Sequence, residues 1–313
     1  MRPRAWRREA VLALALLAAL ALFATQSEAM LSALNLTRVA ESAVEPAILA
    51  AGLTLVILIG GIDVSVGAIL AVAAVVTGSA LALDLPAVAA VTLAIAAGTG
   101  LGGVNGVLVA RLSVPPIIAT LGTLYVFGAI VFLTVGTTWI TGLPESLSPL
   151  VQGRLLGVPA AILAIGAVYG LAWFGLRQTP WGLHLAAIGS NAVAARLAGI
   201  PVTRRTIETY ALLGALAGLA AILYVARLRN VEFSVGAGLT FEAIAASILG
   251  GADLRGGHAS LVGTLLGILF IKVLQNGLVL SGASSLWAPV VTGLLLLLVL
   301  VVDGLHTPLR RGQ

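Results

Sequence analysis

The chain has 313 residues, of which 60% are hydrophobic and 9% carry a charge, and its mean hydropathy is +1.12. A water-soluble chain is roughly half apolar and a quarter charged, so this one lacks the polar surface to cover a soluble core and reads as a polytopic membrane protein. It has no cysteine, which excludes disulfide scaffolds, Cys-bound zinc, iron–sulfur clusters and thiol nucleophiles. His184, His258 and His306 form no metal-ligand pair at helical spacing, and Lys272, the sole lysine, lies outside any Walker A loop. No metal, no cofactor and no catalytic residue is therefore expected. The net charge of +5 sits on arginines scattered at helix ends, which suits membrane topology better than nucleic-acid binding.

A spanning helix needs ~20 mostly apolar residues, so the gaps between charges mark the spans. In chain order they begin near residues 9, 46, 66, 86, 117, 159, 206, 239, 259 and 286. Pro115-Pro116 delays the fifth to Ile117, and Ser281-Gly282 divides the last two. The eighth is short, squeezed between Glu242 and Asp253. Short, glycine-interrupted segments mark substrate sites in transporters. Orientation follows from the arginines. With the N-terminus inside, Arg2, Arg4, Arg7, Arg8, Arg111, Arg177, Arg196, Arg204, Arg205, Arg255, Arg310 and Arg311 are cytoplasmic, against Arg38, Arg154, Arg227 and Arg229 outside. Both termini then lie in the cytoplasm, and that parity requires the eighth segment to cross. The first segment also fits a signal peptide, but nine further segments make an uncleaved helix the simpler reading.

Gly60-Gly61-Ile62-Asp63-Val64-Ser65-Val66-Gly67 has a counterpart in Gly250-Gly251-Ala252-Asp253-Leu254-Arg255-Gly256-Gly257. Both read G-G-x-D-x-x-x-G and both precede small-residue helices, which suggests a parallel internal repeat. Paired glycines weaken a helix, and broken backbone at membrane depth survives only against protein or a water-filled cavity. Gly61, Asp63 and Ser65 are thus candidates for a substrate pathway; the alternative is a tight turn in which Asp63 and Asp253 cap the following helix. Asn105, costly in an apolar helix unless hydrogen-bonded, is either interhelical glue or a hydroxyl-binding group. Glu242 and Asn276 complete the pathway candidates, with an ion pair between Lys272 and Glu242 as the structural alternative.

Residues 177–205 form the one long internal loop, inside a single transmembrane domain of residues 1–313. Thr179-Pro180 starts a turn, Gly182, Gly189 and Asn191 punctuate the stretch, and Ala192–Ala198, with Ala195 and Arg196, is a good short helix stopped by Gly199. Such a helix across the inner face suits docking into an ATPase; it could equally be an ordinary amphipathic surface helix.

The wording of these segments resembles the permeases of bacterial ribose-type ABC importers. GGIDVSVG at Gly60–Gly67 matches their GGIDLSVG signature, and Gly103–Arg111 with Pro115–Gly122 matches GxxNGxLVA…PPxIATLG. Thr179–Ile200 looks like their cytoplasmic loop, Gly238–Gly257 like GxxxEAIAAxxxGGxSLxGG, and Trp287 to Asp303 like the last helix. The departures are His184 for arginine, Ser190 for glycine and Asp253 for serine. The resemblance implies an all-α permease in the cell membrane of a bacterium, importing a monosaccharide or similar small polyol and having no enzymatic activity itself. Its implied partners are cytoplasmic ATP-binding subunits, an extracytoplasmic solute-binding protein and a second, identical or related permease. Trp139–Leu147 (WITGLPESL) looks most like the autoinducer-2 and rhamnose branches. An ion-coupled secondary transporter is the alternative from another class.

Overall fold

The computed structural model describes residues 5–155 and 157–306. Arg2, Arg4, Arg310 and Arg311 lie outside them, as does the side chain of Arg7. The helices, in chain order, are α1 (Ala5–Ala24), α2 (Ala33–Ser42), α3 (Val44–Leu58), α4 (Val66–Ala82), α5 (Ala87–Ala110), α6 (Pro116–Val135), α7 (Pro149–Gln152), α8 (Ala160–Gln178), α9 (Pro180–Ser190), α10 (Ala192–Leu197), α11 (Val202–Leu228), α12 (Ala237–Leu249), α13 (Leu261–Leu280) and α14 (Ala288–His306). The only strands among the described residues are a two-residue hairpin, Arg154–Leu155 with Val158–Pro159. The protein is an all-α, multi-pass membrane protein. Among the described residues, α5, α6, α8, α11 and α13 are each long and apolar enough to cross a bilayer, and α2 with α3, bent by 45° at their break, form a broken span or a re-entrant loop.

Each predicted segment coincides with a helix, the second with α3, which starts at Val44. A further helix, α2, precedes it; Ser32 caps it by accepting a hydrogen bond from Asn35 N. Arg38, Glu41 and Glu45 had hidden it, because an amphipathic helix carries charges that a search for uncharged runs rejects. Among the described residues, α4 and α12 are short for a bilayer. The 17 residues of α4 reach about 25 Å, and the 13 of α12 about 20 Å, against a hydrocarbon core of about 30 Å.

The centre of the bundle is α11, which packs on α3, α4 and α5. All of α3 is buried, as expected for a helix apolar on every side. Glycines set the approach of α11 to α5. Gly98 and Gly102 lie against Gly214, Gly218 and the Tyr210 carbonyl, and Gly106 against Ile207, so the two helices run antiparallel with backbones touching. A side chain added at Gly214 would enter the Gly98 carbonyl. Gly214→Leu should therefore cost about 3 kcal/mol by overpacking, read as a lower unfolding midpoint in detergent. An unchanged midpoint would show that the helices separate without loss.

One end of the bundle carries Arg111, Arg177, Arg196, Arg204 and Arg205, at or beyond the ends of α5, α8, α10 and α11. At the other end, Arg227 pairs with Glu45 at 2.9 Å. There Arg229 donates to the Leu143 carbonyl and pairs with Glu145. With an Ile140–Val231 bridge, the contacts of Arg229 pin the long connection between α6 and α8 across the end of α11, while Arg227 holds α11 to α3.

Candidate functional site

The site starts where α3 stops. Gly60, at φ +80°, ends the helix with two back-bonds, Gly60 N to the Ile57 carbonyl and Gly61 N to the Val56 carbonyl. This is the Schellman arrangement, which needs a residue free to adopt the left-handed conformation. At the second G-G-x-D segment the same device ends α12. Gly251, at φ +93°, bonds the Ile248 carbonyl, and Ala252 N bonds the Ser247 carbonyl. The turning glycine is the first of the pair in one segment and the second in the other, so the two breaks share a mechanism but differ in register by one residue.

Both aspartates then fold their own turns. Asp63 Oδ1 accepts from Ser65 N at 2.8 Å and Ser65 Oγ at 2.7 Å, and the exposed Asp253 Oδ1 accepts from Arg255 N at 2.9 Å. The N-cap positions of the following helices are Ser65 and Ser260: Ser260 caps α13 with its own side chain, whereas at α4 the Asp63 carboxylate, and not the Ser65 hydroxyl, accepts from the first-turn Val66 N–H. Asp63 has further support from α5: Asn105 Nδ2 donates to Asp63 Oδ2 at 3.0 Å and to Ser65 Oγ at 2.8 Å. Asp63, Ser65 and Asn105 are all fully buried. The broken backbone is bonded as well, since Thr120 of α6 accepts from Val64 N and donates to the Ile62 carbonyl. Thr240 of α12 accepts from Gly67 N at 2.9 Å, and Gly67 meets Gly236 backbone to backbone. The first turns of the short helices α4 and α12 are thereby tied to each other.

Beneath this break lies the loop of residues 177–205, which folds as two short helices. Pro180 opens α9 after Thr179, and buried Gly182 rests on the Leu176 backbone. Asn191 caps α10 by accepting from Ala194 N. Ala195 is buried and Arg196 exposed, and Gly199, at φ +81°, closes the helix with its N–H on the Arg196 carbonyl. The α9 helix was not anticipated; Gly182 and Gly189 within it disguise its helical run, and Gly182 serves as a contact, not a break.

Gly189, at the end of α9, is pressed between the Leu58 carbonyl and Gly257 N, while Gly257 N itself donates to the Leu58 carbonyl at 2.8 Å. Gly256 sits on Gly60 N and on the Gly189 backbone. Both G-G-x-D segments and the loop therefore meet in one junction of bare backbone, built from Gly60, Gly189, Gly256 and Gly257. A cavity of about 300 Å³ opens beside it, bordered by Gly61, Pro116, Ile188, Arg196 and Tyr210. Gly61 and Arg196, from the two sets of candidate residues, thus share one space. Tyr210 is fully buried with its hydroxyl against Gly61. The sequence offered no signal for it beyond a polar atom in an apolar helix.

Glu242 and Asn276 belong to a different layer. Glu242 Oε2 pairs with Lys272 Nζ at 2.6 Å, and Gln275 donates to Glu242 Oε1 at 2.9 Å and to Thr292 of α14 at 3.1 Å. Asn276 exchanges hydrogen bonds with Asn35 of α2. This layer ties α2, α12, α13 and α14 together.

The sequence of residues 35–300 matches the family described as branched-chain amino acid transport system / permease component. The ribose import permease protein RbsC of Escherichia coli (strain K12) is 39% identical over 304 residues, covering 96% of this chain and 95% of that protein. RbsC of Bacillus subtilis (strain 168) is 36% identical over 275 residues, 87% of this chain and 85% of that protein. The autoinducer 2 import system permease protein LsrC of Escherichia coli O157:H7 is 40% identical over 296 residues, 93% of this chain and 86% of that protein. No solved structure matches the chain significantly. With a match over most of its length, this chain belongs to the permease family of ribose-type ABC importers, multi-pass proteins of the cell membrane.

Proposed function

We propose that the chain is the transmembrane subunit of an ATP-driven importer carrying a monosaccharide or similar small polyol into the cytoplasm. Autoinducer-2 and rhamnose fall within that solute class. ATP is hydrolysed on separate cytoplasmic subunits, and an extracytoplasmic binding protein delivers the solute. The permease pairs with a second copy or a related permease. In this reading the arginine-rich end faces the cytoplasm, the chain crosses ten times with both termini inside, and residues 177–205 dock on the ATPase.

The glycine junction carries the reading. A contact of backbone on backbone has no flexible side chain to absorb a displacement, so movement of α9 and α10 passes to the end of α3 and to the 250–257 loop as rigid-body motion. Those are the two places where helices break, and transporters gather their solutes at broken helices. The pathway would then run past the tied first turns of α4 and α12, with Gly61 at its cytoplasmic side. The enclosed Asp63, Ser65 and Asn105 act by holding the break in shape, and Glu242 and Asn276 by holding the neighbouring helices.

The test is to purify the chain with its neighbouring ATPase and binding protein and to measure ATP hydrolysis against pentoses, rhamnose and autoinducer-2. Stimulation by one liganded binding protein is expected. Arg196→Glu should abolish that stimulation while the permease still inserts. Uptake that survives deletion of the ATPase but collapses with an uncoupler would sink the reading in favour of an ion-coupled secondary transporter.

A further inference from the structure

We propose that the imported solute is held between α4, α6 and the unwound stretch leading into α12, in a cavity that selects an uncharged polyol. After its bridge to Ile140, the chain stays beside α4. Val231 lies against Gly78 and Gly236 against Gly67, so residues 231–236 follow the flank of α4 from its last turns to its first, about 16 Å. No charged residue falls between Asp63 and Asp84, which sets this flank within the hydrocarbon layer. The stretch is not helical there. Val235 N bonds the Glu232 carbonyl and Ala237 N the Ser234 carbonyl, but Phe233 N, the Phe233 carbonyl, Ser234 N and the Ser234 hydroxyl have no partner among the described residues. Phe233 and Ser234 are both exposed. Irregular backbone at this depth survives only against protein or water, so lipid tails are excluded as the occupant of the open side.

A cavity of about 500 Å³ opens there, bordered by Ala68 and Ala71 of α4, Tyr125 and Phe132 of α6, and Phe233 and Ser234. Small-molecule sites occupy roughly 300–1,000 Å³ and are likewise mostly apolar and aromatic, with a few fixed polar groups. Phe132 and Phe233 pack edge to face at 5.5 Å, and Tyr125 is 77% exposed. Their electron-rich ring faces suit the C–H face of a sugar ring. The backbone of 233 and 234 and the Ser234 hydroxyl supply both donors and acceptors, as a polyol's hydroxyls require. Among the described residues, no Asp, Glu, Lys or Arg borders the cavity. A solute with a carboxylate or an ammonium group would lose its hydration here without gaining a partner. A neutral polyol fits and an amino acid does not. The inference rests on the transport reading and adds to it the place where the solute sits and the charge it can carry.

The chain has no cysteine, so single cysteines report access from water. In membrane vesicles holding the chain with its neighbouring ATPase and binding protein, Ser234→Cys should react with a charged methanethiosulfonate, and the reaction should block uptake of ribose, rhamnose or autoinducer-2. The parent, treated alike, controls for thiols on the other subunits. Leu171→Cys, 72% exposed midway along α8, should stay unlabelled in lipid. Tyr125→Ala should lower uptake roughly 10-fold, the scale of one aromatic contact, while Tyr125→Phe keeps it. A Ser234→Cys protein as unreactive as Leu171→Cys would overturn the proposal, and parental uptake would still uphold the importer. Labelling that leaves uptake unchanged would overturn it as well, as would uptake confined to branched-chain amino acids. Uptake that needs no ATPase yet is blocked through Ser234→Cys would refute the importer reading alone and leave the cavity as the solute's place.

Discussion

Gly189→Val should lower uptake by about 100-fold, the scale that a shift of about an ångström produces in a positioned site, while the chain still reaches the membrane. The cause is steric. Any Cβ at position 189 would enter the space of the Leu58 carbonyl and Gly257 N, and neither is a side chain that can rotate away. Accommodating it separates α9 from the end of α3 and breaks the junction with the 250–257 loop. Gly170→Ala is the matched control, because nothing lies within 4 Å of a Cβ built there; it should transport like the parent. Measuring uptake at equal membrane abundance decides the matter. A Gly189→Val protein that transports within about twofold of the parent would show that the junction transmits nothing.

Lys272→Met should destabilise the bundle by about 3–5 kcal/mol, because it leaves a carboxylate buried without its cation. The Lys272 and Glu242 side chains are only 11% and 13% exposed, so water cannot replace the lost partner, and α12, α13 and α14 all meet there through Gln275. The double variant Lys272→Met/Glu242→Gln should recover most of the loss, since the new amide oxygen still accepts from Gln275 without a charge. Thermal unfolding in detergent reads both steps. If single and double variants melt together, the pair contributes through packing alone.

The two experiments probe features that differed in how far they could be read ahead. The pairing of Lys272 with Glu242 was one of two alternatives for an isolated lysine in an apolar segment, since an intramembrane cation needs a partner or water. For Asn105 the same reasoning left a choice between glue and solute contact; the structure places it on Asp63 and Ser65, 42 and 40 residues away. Gly189 was visible as a glycine in a loop of recognisable wording, with no indication of what pressed on it. The stop at Gly199 is a local bond within a few residues, so residue type and spacing were enough to place it; the cap at Asn191, equally local, was not read from the sequence. The helix ending at Ser42 was missed because its charges fall on one face, which a count of uncharged residues cannot detect.

The sequence by itself determined the solvent, the class and the approximate spans. Each is a sum over neighbouring residues: hydrophobic content decides whether a segment enters a bilayer, arginine placement biases its direction, and glycine and proline mark the helix ends. Tertiary structure alone decided which breaks meet. The contact of Gly60, Gly189, Gly256 and Gly257 and the enclosure of Asp63 each join residues far apart in the chain. Backbone approach at such points depends on the packing of α3, α5 and α11 together, and no local pattern of residues encodes it.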